Sequence, residues 1–260
     1  MSKDGQTFLK KNKENFRHYM FCKAPRIIFE CFDSSKNKIK VKIQRNHTQF
    51  DEIFVGISEE FLGLKIHAIS CLYPDIHVAL ADGSVICFAS MFEFLCHVLV
   101  KPRNLLTLTV LYIGQTEIKD DYVRLDGHTT YGAISDELSK REPQSELFVK
   151  LFKFDTPALE LKGKDFCPLD LQKCVISIAG AMPSEELVNL TEAAMIRAFS
   201  PDFNVHYKNN FPLREHTSYT HIFKTPIDEV EILIDERFRK YKFAFNGEVG
   251  NVVYAGFDLD

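Results

Sequence analysis

The chain has 260 residues, 45% of them hydrophobic and 26% charged, ordinary globular values that exclude a disordered or low-complexity protein. At about 150 residues per domain, this length predicts one large domain or one domain with sizeable attachments. A chain this long buries enough surface to fold without disulfides or zinc. The net charge of −4 hides an asymmetry: residues 1–50 carry 12 Lys/Arg against 4 Asp/Glu, and residues 51–260 carry 20 against 32.

No apolar run follows the N-terminus, so a secretory signal is not expected. The most apolar stretch, Val85 to Val100, has 16 residues and is broken by Ser90, Glu93 and His97. A membrane span needs about 20, so no membrane partner is expected. The 7 cysteines include no C-x-x-C pair, and most sit in apolar runs. That pattern predicts free thiols in a reducing, cytoplasmic setting.

The basic residues fall in two clusters, Lys10-Lys11-Lys13-Arg17 and Lys36-Lys38-Lys40-Lys42-Arg45, with Phe8, Phe16, Tyr19 and Phe21 interleaved. One reading is an arm that contacts phosphates and releases their counterions, with Lys10, Lys11, Lys38, Lys40 and Lys42 as DNA-binding residues. The other is a solvated strand face, because Lys38, Lys40 and Lys42 alternate with Ile39, Val41 and Ile43.

In chain order, Ile27–Phe32 and Lys38–Ile43 predict a hairpin, and Ile66–Leu72, Ile76–Leu80 and Val85–Phe88 further short strands. Phe88, Met91, Phe92, Leu95, Cys96 and Leu99 recur at helical spacing, predicting a helix over 89–100 that stops before Pro102. Leu105–Ile113 is almost continuously apolar and reads as a central strand. Tyr131–Arg141 reads as a helix, Glu146–Phe154 as a second central strand and Cys174–Ile178 as another strand. Ser184 then caps a helix that carries Glu185 and Glu186 in its first turn and ends at Phe199, before Pro201. Alternation in Tyr219–Phe223, Val230–Ile234, Tyr241–Phe245 and Val252–Phe257 predicts a β-rich tail, with Asn246-Gly247 as a hairpin turn.

On the wheel of helix 184–199, Glu192 has Val188, Met195, Ile196 and Phe199 as neighbours. A carboxylate among such residues is costly unless a cation or several donors meet it. The order of other residues gives this position meaning. Tyr112-Ile113-Gly114-Gln115-Thr116 closes a central strand, and Arg124 and His128 follow four apart. After a second strand comes Thr191-Glu192-Ala193-Ala194-Met195-Ile196-Arg197-Ala198-Phe199, leading into Ser200-Pro201-Asp202-Phe203-Asn204. From Leu111 to Asn204 this order resembles the GIY-YIG nuclease superfamily, with its Tyr-Ile-Gly strand, its Arg with a following His or Tyr, and its helical Glu ahead of a Pro-x-x-Asn turn.

The resemblance implies an α+β fold, a small mixed β-sheet flanked by helices over residues 75–215. A basic, β-rich region 1–74 would precede this core and a β-rich extension 216–260 would follow it. It also implies a divalent-metal-dependent DNA endonuclease, with restriction or defence as its setting. Glu192 would ligate Mg²⁺ or Mn²⁺, and Arg124 would hold the scissile phosphate through its guanidinium fork. Tyr112 would orient or deprotonate the attacking water, and His128 would share that work. Asn204 would brace the site, Gly114 would allow close approach of the backbone, and Lys208 and Arg214 would contact the DNA backbone. His216 and His221 read as structural or solvent-exposed.

The family's first strand ends in a Gly-Ile-Tyr that closely precedes the second tyrosine. Here that window holds Val100-Lys101-Pro102-Arg103. Either the first strand lies upstream, near Ile76–Phe88, or the first tyrosine is lost and Tyr73, His77, His97 or Lys101 stands in for it. The alternative function is a catalytically silent nucleic-acid-binding or assembly subunit. The acidic balance of residues 51–260 suits a protein partner or a second copy of the chain.

Overall fold

The computed structural model describes residues 17–44, 48–58, 63, 65–99, 106–115, 129–152, 154, 184–224, 229–235, 241–245, 248–250 and 252–259. The chain begins with strands β1 (His18–Pro25), β2 (Ile27–Asp33), β3 (Lys38–Gln44), β4 (Phe50–Gly56), β5 (Ile66–Leu72), β6 (Asp75–Leu80) and β7 (Val85–Phe88). Helix α1 (Met91–Val98), β8 (Thr107–Gln115), α2 (Thr129–Arg141), β9 (Ser145–Phe152) and α3 (Ser184–Phe199) follow. A 3-10 helix, Thr217–Lys224, leads to β10 (Glu229–Asp235), β11 (Lys242–Phe245), β12 (Glu248–Gly250) and β13 (Val252–Asp258). The fold is α+β. No helix among the described residues is long and apolar enough to cross a membrane.

The main sheet has five strands in the order β12-β11-β8-β1-β9. It is mixed: β1 is antiparallel to both β8 and β9, whereas β11 runs parallel to β8. Both faces of β1 are covered. On one side Tyr19 and Phe21 pack with Leu111 and with Ile134 and Leu138 of α2. On the other, Met20 and Cys22 join the larger core that contains Ile113 and, from α3, Met195, Ile196 and Phe199. Full burial of such side chains is worth about 1.5–3 kcal/mol each, so β1 anchors the sheet to the helices on either side.

This pairing departs from the expected division at residues 74 and 215. The main sheet draws β1 from the first segment, β8 and β9 from the second, and β11 and β12 from the third. The β5–β6 hairpin crosses the first boundary, with Leu72 opposite Asp75. Residues 26–106 form an insertion between two neighbouring strands of the main sheet, built on the sheets β2-β3-β4 and β5-β6-β7 with α1. The physical reason is that β8 pairs with a strand far upstream in sequence.

Several local expectations change too. Ile76–Phe88 belongs to the β5-β6-β7 sheet and contributes no strand to the main sheet. Tyr219–Phe223 lies within the 3-10 segment Thr217–Lys224, which is kinked at Tyr219 (φ −149°, ψ 40°), and both Tyr219 and Ile222 are buried there. β4 carries no clear alternation because Phe50 and Phe54 are exposed on an edge strand. α3 ends where expected: Ser200 is left-handed at φ 46° and its amide bonds the Ile196 carbonyl at 2.8 Å. Cys174–Ile178 and the Asn246-Gly247 turn lie outside the described residues.

Candidate active site

The β1–β8 register sets Tyr19 opposite Gly114 and Phe21 opposite Tyr112. The two tyrosine rings lie 6.1 Å apart, centroid to centroid, and their hydroxyls are hydrogen-bonded. Phe21 stacks on Tyr112 at 5.8 Å and meets Tyr131 of α2 at 5.6 Å. Tyr19 thus places a phenol on β1, beside Tyr112 of the neighbouring β8. Tyr73 instead donates to Glu146 at 2.9 Å, and His77 meets Cys87 at 3.5 Å. His97 packs against Phe88, and Lys101 lies outside the described residues.

The glycine of the Tyr-Ile-Gly strand has a steric reason. A Cβ at position 114 would sit 2.6 Å from both Cζ and Oη of Tyr19 and 2.9 Å from Cε1 of Tyr112. Gly114 therefore makes room for the phenol pair. Gly114→Ala should cost about 1–3 kcal/mol by overpacking and displace Tyr19. Urea unfolding of Gly114→Ala, Tyr19→Ala and the double variant checks this: the double variant should lose less than the sum of the two single losses if the ring is the obstacle.

Glu192 projects from α3 towards the end of β8. Nε2 of Gln115 donates to its Oε2 at 2.6 Å and to Oδ1 of Asn189 at 2.8 Å. Among the described residues no cation pairs with this carboxylate. Burial pushes its pKa up to about 7, and the Gln115 hydrogen bond only partly opposes that. The Tyr112 phenol is also raised, first by burial and then by the Glu192 charge, while the bond from Tyr19 favours its phenolate.

Asn204 braces the strand that carries Tyr112. β11 pairs with β8 only as far as Thr109, so the outer edge of β8 is left open beyond it. Residues 203 and 204 close that edge: the Phe203 amide donates to the Leu111 carbonyl at 3.0 Å. The Ile113 amide donates to Asn204 Oδ1 at 2.8 Å, and Asn204 Nδ2 returns a bond to the Ile113 carbonyl at 2.9 Å. Asn204 is buried, so its removal strands two backbone groups away from water. Asn204→Ala should lose about 2–4 kcal/mol of unfolding free energy. Urea denaturation measures it, and Asn204→Asp should also lose stability, because its second oxygen would face the Ile113 carbonyl where a donor is needed.

The expected DNA contacts separate. Lys40 pairs with Glu30 at 2.8 Å and with Glu52 at 2.7 Å, and Lys42 pairs with the same two carboxylates. β3 is moreover the middle strand of its sheet. Charges neutralised in this way are poor phosphate contacts, so Lys40 and Lys42 leave the candidate set, and Lys38 remains exposed at the strand end. Lys208 accepts a bond from Arg197 through its backbone carbonyl at 2.6 Å, and the Arg214 guanidinium lies 5.1 Å over the Phe223 ring. Arg124, His128, Lys10, Lys11 and Lys13 lie outside the described residues. His221 bonds Glu186 at 2.5 Å, a contact between the 3-10 helix and α3, and His216 meets the Asn210 carbonyl at 3.1 Å.

Sequence reasoning missed Tyr19, Gln115 and Asn189. Gln115 directly follows the Tyr-Ile-Gly, and Asn189 stands three residues before Glu192 on α3, so both were within reach of a helical wheel and a strand end.

Among the described residues no group of three or more His, Cys, Asp or Glu gathers. The donor set at Glu192 is one desolvated carboxylate. A hard divalent ion that keeps several waters and takes one or two carboxylates fits such a set, as Mg²⁺ does. Comparison of the chain with protein-family models, with curated proteins and with solved structures finds no match.

Proposed function

We propose that this chain is a divalent-metal-dependent DNA endonuclease of GIY-YIG type. The observation that carries this reading is the phenol pair Tyr19–Tyr112, seated over Gly114 on adjacent strands, with a half-buried Glu192 held at the end of the same β8 strand by Gln115. The alternative of a silent subunit is motivated by the incomplete first motif and by the acidic balance of residues 51–260. The phenol of Tyr19 beside Tyr112 on the neighbouring strand favours the catalytic reading.

Glu192 would hold Mg²⁺ or Mn²⁺, which supplies Lewis-acid charge neutralisation at the phosphate. Burial and the Glu192 charge both favour the neutral phenol of Tyr112. Its oxygen accepts a hydrogen bond from the attacking water and gains strength as a base as pH rises. Arg124 holds the phosphate and balances the charge that accumulates as the water oxygen bonds to phosphorus and the sugar oxygen departs. His128 shares the proton transfer, since an unperturbed imidazole titrates near neutrality. Asn204 fixes the β8 backbone at Ile113 and so the position of Tyr112.

A supercoiled plasmid incubated with the protein tests the reading: nicking in Mg²⁺ and none in chelator is expected. Intact plasmid in both overturns it. Non-specific affinity is assigned to the N-terminal lysines. Neutralising Lys10, Lys11 and Lys13 should flatten the slope of log affinity against log salt by about 0.9 for each phosphate that the arm no longer neutralises. Lys40→Ala should leave that slope unchanged, because Lys40 is already paired with Glu30 and Glu52.

A further inference from the structure

The polarity of the hydrogen bonds beside Glu192 can be read without ambiguity, because the chain of bonds ends on a backbone oxygen. Nδ2 of Asn189 lies 3.0 Å from the carbonyl of Ser218, which can only accept. Asn189 therefore presents its Oδ1 to Gln115. That oxygen can only accept, so Gln115 must face it with its amide nitrogen. The nitrogen has two hydrogens: one goes to Asn189 and the other to Oε2 of Glu192. The backbone of the 3-10 helix thus dictates which end of Gln115 the carboxylate meets. The carboxylate by itself already favours the amide nitrogen over the amide oxygen, and the Asn189–Ser218 chain locks the same orientation from the other side.

The elements that carry this relay are fixed independently of it. Gln115 ends β8 in register with His18 of β1. Asn189 and Glu192 are i and i+3 on α3, neighbours on one helical face. The 3-10 helix is tied to α3 a second time by Glu186, which accepts from the His221 amide at 2.9 Å and bonds its ring at 2.5 Å. Tyr207 meets the Ser218 side chain at 3.2 Å.

We propose that Gln115 is the positioning residue of Glu192, held in its donating orientation by Asn189 and the Ser218 carbonyl. It fixes Oε2 so that Oε1 is presented to a divalent cation. This rests on the reading of Glu192 as the metal ligand. Partners that orient a ligating side chain are worth about 10–100-fold in metal affinity or activity, which sets the expected scale.

The test measures Mn²⁺ binding by paramagnetic resonance, plasmid cleavage with kcat and KM resolved, and thermal stability. The proteins compared are wild type, Gln115→Leu, Asn189→Leu, the double variant and Glu192→Gln. Gln115→Leu should weaken Mn²⁺ binding and lower kcat by about 10–100-fold, with KM for DNA close to wild type. Asn189→Leu should do less, because Gln115 can still donate. The double variant should match Gln115→Leu alone, since Asn189 acts only through Gln115. A merely structural role would lower stability and leave Mn²⁺ affinity unchanged in the folded protein. Mn²⁺ binding lost in Glu192→Gln but unchanged in Gln115→Leu overturns the positioning role alone. Mn²⁺ binding that Glu192→Gln leaves untouched overturns both it and the assignment of the ligand.

Discussion

Replacing Glu192 by Gln is expected to reduce plasmid cleavage by at least about 10³-fold, the scale of several kcal/mol of transition-state stabilisation. The same change should make the metal-free protein more stable above neutral pH. The carboxyl titrates at about 7 in the folded chain against an ordinary value of 4.5. Between those pH values the folded state holds a proton that the unfolded state has lost. Stability therefore falls as pH rises through this window, and the deficit is complete above it. Gln keeps the shape and an acceptor for Gln115, but carries no charge to desolvate. In chelator at pH 8 the variant should exceed wild type by on the order of 2 kcal/mol, allowing for partial exposure of the group. At pH 4 the two should coincide. His18, whose burial lowers its pKa, titrates alike in both proteins and cancels in the difference. Mg²⁺ should then raise the melting temperature of wild type at pH 8 and leave that of Glu192→Gln where it was. Denaturant melts at the two pH values, with and without Mg²⁺, separate a metal ligand from a carboxylate that is only buried. A wild type indifferent to Mg²⁺ at every pH overturns the ligand assignment.

The features legible in the sequence are those whose signal is local. Glu192 can be picked out because Val188, Met195 and Ile196 surround it at helical spacing, and the structure does bury those neighbours beside it. β8 can be read from its continuous apolar run, and α3 from its bounds at Ser184 and Pro201. β1 cannot. Tyr19, Met20, Phe21 and Cys22 are all buried, on alternate faces of a strand covered from both sides, so no polar alternation marks it. Arg17, Lys23 and Arg26 around it give the segment the look of a basic arm. Its partner β8 stands beyond residues 26–106, and nothing local to either strand tells which distant segment closes the pair. The pairing comes from the shared core of Tyr19, Phe21 and Leu111 against α2, a long-range property. The same limit hides Gln115. Its place in the sequence is plain, but its donating orientation is set by the Ser218 carbonyl, which the 3-10 helix brings to Asn189. That helix reads as a strand in the sequence, because Tyr219 and Ile222 belong to a run that also fits alternation.

The second large effect is expected at the phenol pair, where two single-atom deletions distinguish the roles. Tyr112→Phe keeps the ring that stacks with Phe21 and removes only the oxygen, so the stability change should stay near 0.5–1.5 kcal/mol for one lost hydrogen bond. Loss of the group that aligns and deprotonates the water should lower kcat by about 10²–10⁴-fold while leaving KM and Mn²⁺ affinity near wild type. Tyr19→Phe should act through its neighbour. The bond from Tyr19 favours the Tyr112 phenolate against burial and the Glu192 charge, which both oppose it. Without that bond the Tyr112 pKa rises further, so the activity that grows with pH should develop at higher pH than in wild type. At alkaline pH the Tyr19→Phe rate should then approach that of the parent, whereas Tyr112→Phe stays low throughout. Single-turnover cleavage of a plasmid across the neutral to alkaline range reads both profiles. If Tyr19→Phe is inactive at every pH and Tyr112→Phe keeps most of its rate, the proton passes to Tyr19 and the assignment is reversed. If both cut at the wild-type rate, the phenols hold the β1–β8 pair together over Gly114 and take no part in the chemistry.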